Sequence, residues 1–330
     1  MPRKLRLEYP GAIYHVINRG NYREDIFSED RTKMAFEACL FETCEKSAWL
    51  LHSFIVMDNH FHFGLETPEA NLVAGMHWLE GTFANRFNHF RKEHGHLFQG
   101  RYKAILVEDG KPLGEVCDYI HLNPVKAHVV EIDRLLDCRY SSYWYLHHPK
   151  ERPNFMKPQT ALACAGGLPD NPQGWADYAD RLALQAEELA RMPPAERKCQ
   201  EQRLTRRWVI GSDLFRAALI KDHNLAASTR AWESSGATDI RFLKWNTTLQ
   251  RGLQALGRTS EDLKTARKSA PWKVALAVWV KDHTQATNRW LAQNLNLGVP
   301  TGLSRYVANY RLRFQQTDPL WKKLTATSST

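Results

Sequence analysis

The sequence predicts an α+β protein, in which an antiparallel sheet with helices on one face is followed by a mostly α-helical region. Strand and helix patterns are mixed along residues 1–148, without the regular β-α-β alternation of a parallel sheet. The last hundred residues carry helical patterns. A chain of 330 residues also exceeds the usual size of one domain, so we expect two.

Local patterns define the elements of the N-terminal domain. Short apolar runs meet at the turn-forming dipeptide Asp58-Asn59, which predicts two joined strands. Leu72, Met76 and Leu79 begin an apolar series at spacings of three or four, which predicts a long helix with a buried stripe. In chain order we predict a strand at 12–19, a helix near 31–47, strands at 51–57 and 60–65, a helix at about 70–92, a strand at 102–107 and a helix around Tyr119 that ends near Pro124.

The remainder of the chain divides at prolines and glycines. Several prolines and an Ala-Gly-Gly run mark residues 147–176 as a boundary region, and 175–207 has a helical pattern broken at Pro193-Pro194. We therefore assign 149–207 as a linker and helical connector. Residues 208–330 are assigned as a basic, helical DNA-binding domain.

A helix-turn-helix is predicted within this last domain. A helical pattern at 271–282 is followed by two more, at 287–297 and 301–313, with Gly298 in the turn between them. Arg305 would then lie on or near the recognition helix. Because this arrangement also occurs in proteins that never meet DNA, the pattern leaves the function open.

The candidate catalytic residues form a His-x-His pair and a Tyr-x-x-x-Asn pair. His60 and His62 lie two apart on a predicted strand, so their side chains project from one face of the sheet. Tyr119 and Asn123 are four apart, so on a helix they share a face. A histidine pair near a tyrosine can also be purely structural, and the spacing does not choose between the two.

These residue types suit cleavage of a phosphodiester. A divalent cation stabilises charge on the scissile group and orients it. Two imidazoles and an amide oxygen suit Mg²⁺ or Mn²⁺, although imidazole also accepts Zn²⁺. A phenol has a reference pKa of about 10, so Tyr119 would need help to lose its proton during attack. The product would be a covalent phosphotyrosine.

Four blocks in this order resemble the HUH-type single-tyrosine transposases, and most closely their REP-associated branch. The resemblance implies a ferredoxin-like domain that recognises single-stranded or hairpin DNA and cuts it, leaving a 5′-phosphotyrosine and a free 3′-hydroxyl. The blocks are PGAIYHVINRGN at 10–21, VMDNHFH at 56–62, LFQGRYK at 97–103 and YIHLNPVKA at 119–127.

The same resemblance assigns the site residues. It implies that His60 and His62 bind the metal, that Tyr119 is the nucleophile and that Asn123 is the third metal ligand. Polar residues beside the predicted strands are candidates for holding phosphates or reading bases. They are Asn18, Arg19, Asn21, Arg23, Gln99, Arg101 and Lys103.

Composition bounds the compartment and the partners. No apolar run approaches the roughly 18 residues of a membrane span, and no hydrophobic segment follows the basic N-terminus, so we expect a cytoplasmic protein. The 6 cysteines form no Cys-x-x-Cys pair, which argues against a zinc module or a disulfide framework. Residues 1–150 hold 18 Lys+Arg against 20 Asp+Glu, whereas 151–330 hold 27 against 16, so DNA affinity should come mainly from the C-terminal half.

We therefore predict a metal-dependent endonuclease or transposase that cuts, and can rejoin, single-stranded DNA near hairpins. One alternative is a domesticated regulator that binds hairpins without cutting, which would bind DNA but form no adduct. Another is a metal-dependent hydrolase that uses water, whose cleavage would survive loss of Tyr119. Both a monomer and a homodimer are compatible with the sequence.

Overall fold

The computed structural model describes residues 7–222, 238–315 and 317–326. It contains two compact units, Arg6–Arg216 and Ala217–Thr330. The sequence placed domain borders at 148 and 207 instead. The stretch 149–207 is folded into the first unit, because Tyr178 and Leu182 are buried in the same core as Val116 and Ile120.

Five strands form one mixed sheet in the first unit. Four of them pair antiparallel, and the fifth pairs parallel to the fourth. The predicted α+β class is confirmed, but the sheet is not wholly antiparallel, because the fifth strand runs parallel to the fourth. The sequence did not predict this strand, since a Val-Ile dipeptide is too short to show a strand pattern. In chain order, the strands are β1 Ala12–Arg19, β2 Leu50–Val56, β3 His60–Thr67, β4 Lys103–Val107 and β5 Val209–Ile210. Their spatial order in the sheet is β2-β3-β1-β4-β5.

Nine α-helices are described in or at the end of this unit, and the last one crosses its C-terminal border. The first two agree with the predicted helices to within two residues at each end. The helices are α1 Asp30–Ser47, α2 Leu72–Arg91, α3 Lys111–His121, α4 Asn123–Lys126, α5 Ser142–His147, α6 Gln159–Cys164, α7 Pro172–Arg191, α8 Pro194–Thr205 and α9 Asp213–Asp222. Short 3-10 helices lie at Asn21–Arg23, Ile132–Asp137 and Pro149–Glu151.

The two faces of the sheet are covered differently. Helices α1 and α2 pack on one face, where Phe36 contacts the rings of Phe61, Phe63 and Phe83. Helix α3 lies against the other face, so the prediction of helices on one face holds for α1 and α2 only. The physical reason is the apolar stripe of α3, which has to be buried and includes Ile120.

The second unit is a bundle around one helix whose central residues are buried. Residues 272–280 of that helix are all buried, as expected for a helix surrounded by others. The described helices are α10 Thr238–Ala255, α11 Ser260–Thr265, α12 Pro271–His283, α13 Asn288–Asn294, α14 Pro300–Arg313 and α15 Pro319–Ala326. Helices α10, α14 and α15 pack against α12. In the parts of the chain with described coordinates, no helix is both long and apolar enough to cross a bilayer.

Candidate active site

The alternation of β3 puts His60 and His62 on the face of the sheet that α3 covers. Their rings are perpendicular, with centroids 5.1 Å apart. His62 is buried at 3% exposure beneath α3, whereas His60 lies at the end of the strand and is only partly covered. Burial lowers the pKa of both imidazoles, and that of His62 lies well below its usual value. Both rings are therefore neutral, which is the form that binds a cation.

A third histidine fixes which nitrogen of His62 carries the proton. His15 Nδ1 lies 2.9 Å from the carbonyl oxygen of Leu204, which can only accept, so Nδ1 is the protonated nitrogen of His15. Its Nε2 then accepts a hydrogen bond from His62 Nδ1 at 3.0 Å. His62 is left with an unprotonated Nε2. His15 is fully buried, and burial lowers its pKa to about 4, so this neutral arrangement is stable near neutral pH.

His60 is oriented in a similar way by its neighbour. Both of its ring nitrogens face an amide oxygen, and the shorter contact, from Nδ1 to Asn59 Oδ1 at 2.7 Å, takes the single proton of the neutral ring, so Nε2 keeps its lone pair. That Nε2 lies 3.3 Å from Asn123 Oδ1. In this arrangement the lone pairs of His60 Nε2 and Asn123 Oδ1 face each other, and a cation bound between them would relieve their repulsion.

These donors fit a divalent metal. Two imidazole nitrogens and an amide oxygen suit Mn²⁺ or Mg²⁺ with open positions for phosphate. Within the described ranges, no cluster of three His, Cys, Asp or Glu side chains has metal-binding geometry. A cation held by His60 and His62 would therefore depend on the Asn123 amide for its third protein ligand.

Asn123 reaches His60 by a different route from the one predicted. Helix α3 ends at His121, close to the end predicted near Pro124, but Asn123 lies in α4 and not on the Tyr119 helix, with Pro124 in the first turn of α4. Proline is tolerated there because the first turn of a helix needs no backbone N–H. Leu122 keeps helical dihedrals, with φ −79° and ψ −2°, so the chain direction is retained across the junction.

Tyr119 lies on α3 directly against the histidines. Its ring is edge-on to His15 at 5.7 Å and to His62 at 5.6 Å between centroids. The ammonium of Lys126 sits 3.9 Å above the same ring. Burial raises the pKa of Tyr119, and the carboxylate of Glu201 on α8 raises it further. The phenol is protonated in the resting protein and must release its proton to act as a nucleophile.

Helix α3 is held in place by α7. The Tyr178 hydroxyl donates to Asp118 Oδ1 at 2.9 Å and lies 2.8 Å from His121 Nδ1. Arg181 and Gln185 both donate to Asp118 Oδ2. Asp118 and His121 flank Tyr119 in the sequence, so this network sets the position of Tyr119 on the sheet.

Most of the predicted DNA contacts gather at one end of the sheet, where β1 ends and β4 begins, and this region is called the basic edge. Two backbone bonds join the segment after β1 to the segment before β4: Gln99 N–Arg19 O and Asn21 N–Leu97 O, both 2.8 Å. The exposed members of this basic edge are Arg19, Arg23, Gln99, Arg101 and Lys103, with Asn21 half-buried among them. Arg19 pairs opposite His60, so the edge is continuous with the histidines.

Two predicted contacts are placed elsewhere. Asn18 points to the other face of the sheet, is buried at 5% exposure and donates to Glu80 at 2.7 Å. Strand alternation explains this, because Asn18 precedes Arg19 and must face the opposite way. Arg305 is exposed on α14 of the second unit.

Sequence reasoning missed several residues of the site. His15 lies in the first of the four sequence blocks. It is two residues from both Ile13 and Ile17 on a predicted strand, and this spacing signals that the three side chains share one face of the sheet. Tyr22 is 84% exposed beside the basic edge. Leu204 and Glu201 of α8 had no local signal, because their role depends on tertiary packing.

The N-terminal region is similar in sequence to known transposases. Residues 9–123 match a family model described as "Transposase IS200 like". A REP-associated tyrosine transposase of Haemophilus influenzae is 28% identical over 151 residues, a match that covers 37% of this chain and 85% of that protein. A solved structure of a REP-associated tyrosine transposase bound to a REP hairpin has a TM-score of 0.38 at 17% identity, covering 46% of this chain and 89% of its own. The resemblance that the four sequence blocks indicated is confirmed for residues 9–123, while α7 and α8 lie outside the residues that the family model matches.

Proposed function

We propose that the first unit cleaves single-stranded DNA beside a hairpin through Tyr119, with a divalent cation, because residues 9–123 match a family model of IS200-like transposases. The observation that carries this proposal is the convergence of three elements. Tyr119 on α3 touches His62 of β3, and Asn123 of α4 lies 3.3 Å from His60.

The covalent step follows from the chemistry of the phenol. The Tyr119 oxygen attacks phosphorus and loses its proton, while the bond from phosphorus to the 3′-oxygen breaks. The 3′-oxygen leaves and takes up a proton, which gives a 5′-phosphotyrosine and a free 3′-hydroxyl. A divalent cation held by His60, His62 and Asn123 would supply charge stabilisation to the phosphodiester. Attack of a 3′-hydroxyl on the phosphotyrosine reverses the step and rejoins DNA.

Substrate recognition is proposed for the basic edge. Its arginines, Gln99 and Lys103 are exposed, and Arg19 pairs opposite His60, where a strand entering the site would pass. Side chains of these types hold phosphates and read unpaired bases. The sequence similarity to the REP-associated branch supports a hairpin as the neighbouring DNA structure.

The second unit is proposed to add affinity for DNA through a helix-turn-helix. Helices α13 and α14 pack together, and Asn288 Nδ2 donates to Ser304 Oγ at 2.7 Å across them. Arg305, Asn309 and Arg313 are exposed at intervals of four residues and so share one face of α14. A basic helix face of this kind suits the major groove of a duplex.

Replacement of Tyr119 by phenylalanine tests the function. A 3′-labelled hairpin oligonucleotide library with randomised flanks is incubated with the full-length protein and Mn²⁺, then run on a denaturing gel. The wild type is expected to retain label as a covalent adduct, because the 3′ fragment is the one joined to Tyr119. Tyr119→Phe should lose the adduct and keep DNA binding. Tyr143→Phe is the control, since Tyr143 is also buried but lies on α5.

The other outcomes identify the competing functions. Cleavage that persists without an adduct in Tyr119→Phe would indicate a hydrolase that uses water. Wild-type binding without any adduct would indicate a hairpin-binding regulator. Either result would reject Tyr119 as the nucleophile.

A further inference from the structure

A cavity of about 290 Å³ adjoins the nucleophile. It lies between α3, α7 and α8, all within the first unit. Tyr119 forms part of its wall, together with Lys126 and Lys111. Since α7 and α8 lie beyond residue 123, two of the three helices that build this cavity are outside the matched transposase residues.

Two side chains that line this wall each have a buried polar atom without a hydrogen-bond partner among the described residues. The two atoms are Arg181 Nη1 and Gln200 Oε1. Arg181 uses its other terminal nitrogen to hold Asp118, with Nη2 2.7 Å from Oδ2, so the guanidinium is fixed in place. Buried polar groups are normally hydrogen-bonded, so these two side chains favour a polar occupant of the cavity over an apolar one.

We propose that this cavity is a subsite for one nucleotide of the DNA strand, next to the phosphate that Tyr119 attacks. The base makes hydrogen bonds with Arg181 and Gln200. This inference rests on the proposed function, because it takes the occupant from the strand that must pass Tyr119.

The chemistry of the cavity matches a nucleotide on three counts. Its volume is close to the lower bound of roughly 300 Å³ for ligand pockets, which suits one nucleotide and not a longer segment. Base edges present hydrogen-bond donors and acceptors, the complement of Gln200 Oε1 and Arg181 Nη1. The ammonium groups of Lys111 and Lys126 stand in the same wall to attract a phosphate.

The carboxylates around the cavity do not oppose this assignment. Asp118 is neutralised by Arg181, and Glu115 by Arg203 at 2.6 Å. Glu188 and Glu201 also line the wall, and their side chains can accept from the exocyclic amino group of a base. The subsite is therefore polar and nearly neutral, which favours a base over a bare phosphate.

Binding of single nucleotides to the full-length protein tests the subsite. The probes are the four deoxynucleoside 5′-monophosphates and deoxyribose 5-phosphate, measured by saturation-transfer NMR without divalent metal. At least one nucleotide should bind roughly 10-fold more tightly than the base-free sugar phosphate, as two hydrogen bonds predict. Gln200→Met keeps the length of the side chain and removes its acceptor, so it should weaken nucleotide binding by roughly 3- to 10-fold.

The matched control is Gln202→Met, which makes the same change two residues along α8 at a side chain that does not line the cavity. It should bind nucleotides as the wild type does. Equal binding of nucleotides and deoxyribose 5-phosphate, or unchanged binding in Gln200→Met, would overturn the proposal.

A second measurement places the subsite on the strand. Hairpin oligonucleotides with one abasic position at a time are bound to the uncleaving Tyr119→Phe protein. Removing the base at one flanking position should weaken binding of the oligonucleotide to Tyr119→Phe. The same abasic oligonucleotide should bind the double variant Tyr119→Phe/Gln200→Met as tightly as the intact oligonucleotide does. A loss that persists at every position would overturn the assignment to the strand. Neither measurement needs cleavage, so absence of an adduct in the wild type would reject the nuclease function while leaving the nucleotide result to decide the subsite.

Discussion

The proton on His62 decides whether this imidazole can bind a cation. The chain from the Leu204 carbonyl through His15 leaves His62 Nε2 unprotonated and directed to the site. Partners of this kind orient metal-binding histidines in other proteins, and their loss costs roughly 10- to 100-fold in metal affinity. His15 is therefore a positioning residue for His62.

Substitution of His15 tests that role through metal binding alone. His15→Leu removes the acceptor for His62 Nδ1 and should weaken Mn²⁺ binding by roughly 10- to 100-fold, measured by the electron paramagnetic resonance signal of free Mn²⁺. His15→Gln places an amide oxygen near the position of Nε2 and should restore most of the affinity. His52→Leu is the matched control, because His52 is also buried but bonds to Thr160 instead.

The tautomer itself gives an independent readout. Nitrogen-15 NMR of labelled histidines should show His62 protonated at Nδ1 in the metal-free wild type. A proton on Nε2 of His62, or wild-type Mn²⁺ affinity in His15→Leu, would contradict the role of His15.

At the level of single residues, the sequence predicted what alternation controls. His60 and His62 share a face because strand geometry repeats every two residues. The same rule, applied to Asn18, shows why that residue faces α2 and not the site. Alternation could place His15 on this face of the sheet, but not predict its hydrogen bond to Leu204, which is 189 positions away.

The junction between α3 and α4 shows the limits of the prediction for whole elements. A proline marks a helix boundary, but the sequence does not tell whether the old helix ends or a new one begins. Here α3 ends at His121, and Pro124 lies in the first turn of α4. Asn123 still meets His60, because Leu122 between the two helices keeps helical dihedrals. Helix α8 was expected, but its place beside Tyr119 was not, because packing of distant helices leaves no local pattern.

The 3-10 helix after β1 carries strained backbone at the basic edge. Tyr22 and Arg23 are adjacent and have positive φ values of 50° and 64°, which residues other than glycine rarely adopt. Tyr22 is also 84% exposed, so packing does not explain its ring. Strain of this kind is often retained at functional sites, and an exposed aromatic ring beside arginines suits stacking on an unpaired base.

Tyr22→Gly separates these two effects. Glycine adopts positive φ without strain, so the free energy of unfolding should rise by up to about 1 kcal/mol. Loss of the ring should weaken binding of a single-stranded oligonucleotide by roughly 5- to 150-fold, the range for one base stack. Denaturant melts and fluorescence anisotropy measure the two quantities. Tyr22→Phe keeps the ring and should leave affinity unchanged, whereas unchanged affinity in Tyr22→Gly would exclude stacking.

Across the whole molecule, the basic charge and the candidate active site are divided between the two units. Residues 217–330 hold 17 Lys+Arg against 7 Asp+Glu, a net charge of +10, while the complete chain has +9. The candidate active site lies in the nearly neutral first unit. The sequence predicted this asymmetry, because formal charge can be counted without a structure. What it could not predict was the border at 216, which follows from the packing of 149–207 onto the first unit.

Salt dependence of duplex binding tests whether the second unit supplies DNA affinity. Arg305 and Arg313 are exposed on one face of α14, so a duplex bound there would release counterions from the phosphates they contact. Changing both to glutamine in the full-length protein should reduce the slope of log K against log salt by about 0.9 for each lost contact. The control changes Arg134 and Lys150, two exposed cations of the first unit, to glutamine. If both double variants lowered the slope equally, the basic surplus would act only as diffuse charge, and α14 would not be a recognition helix.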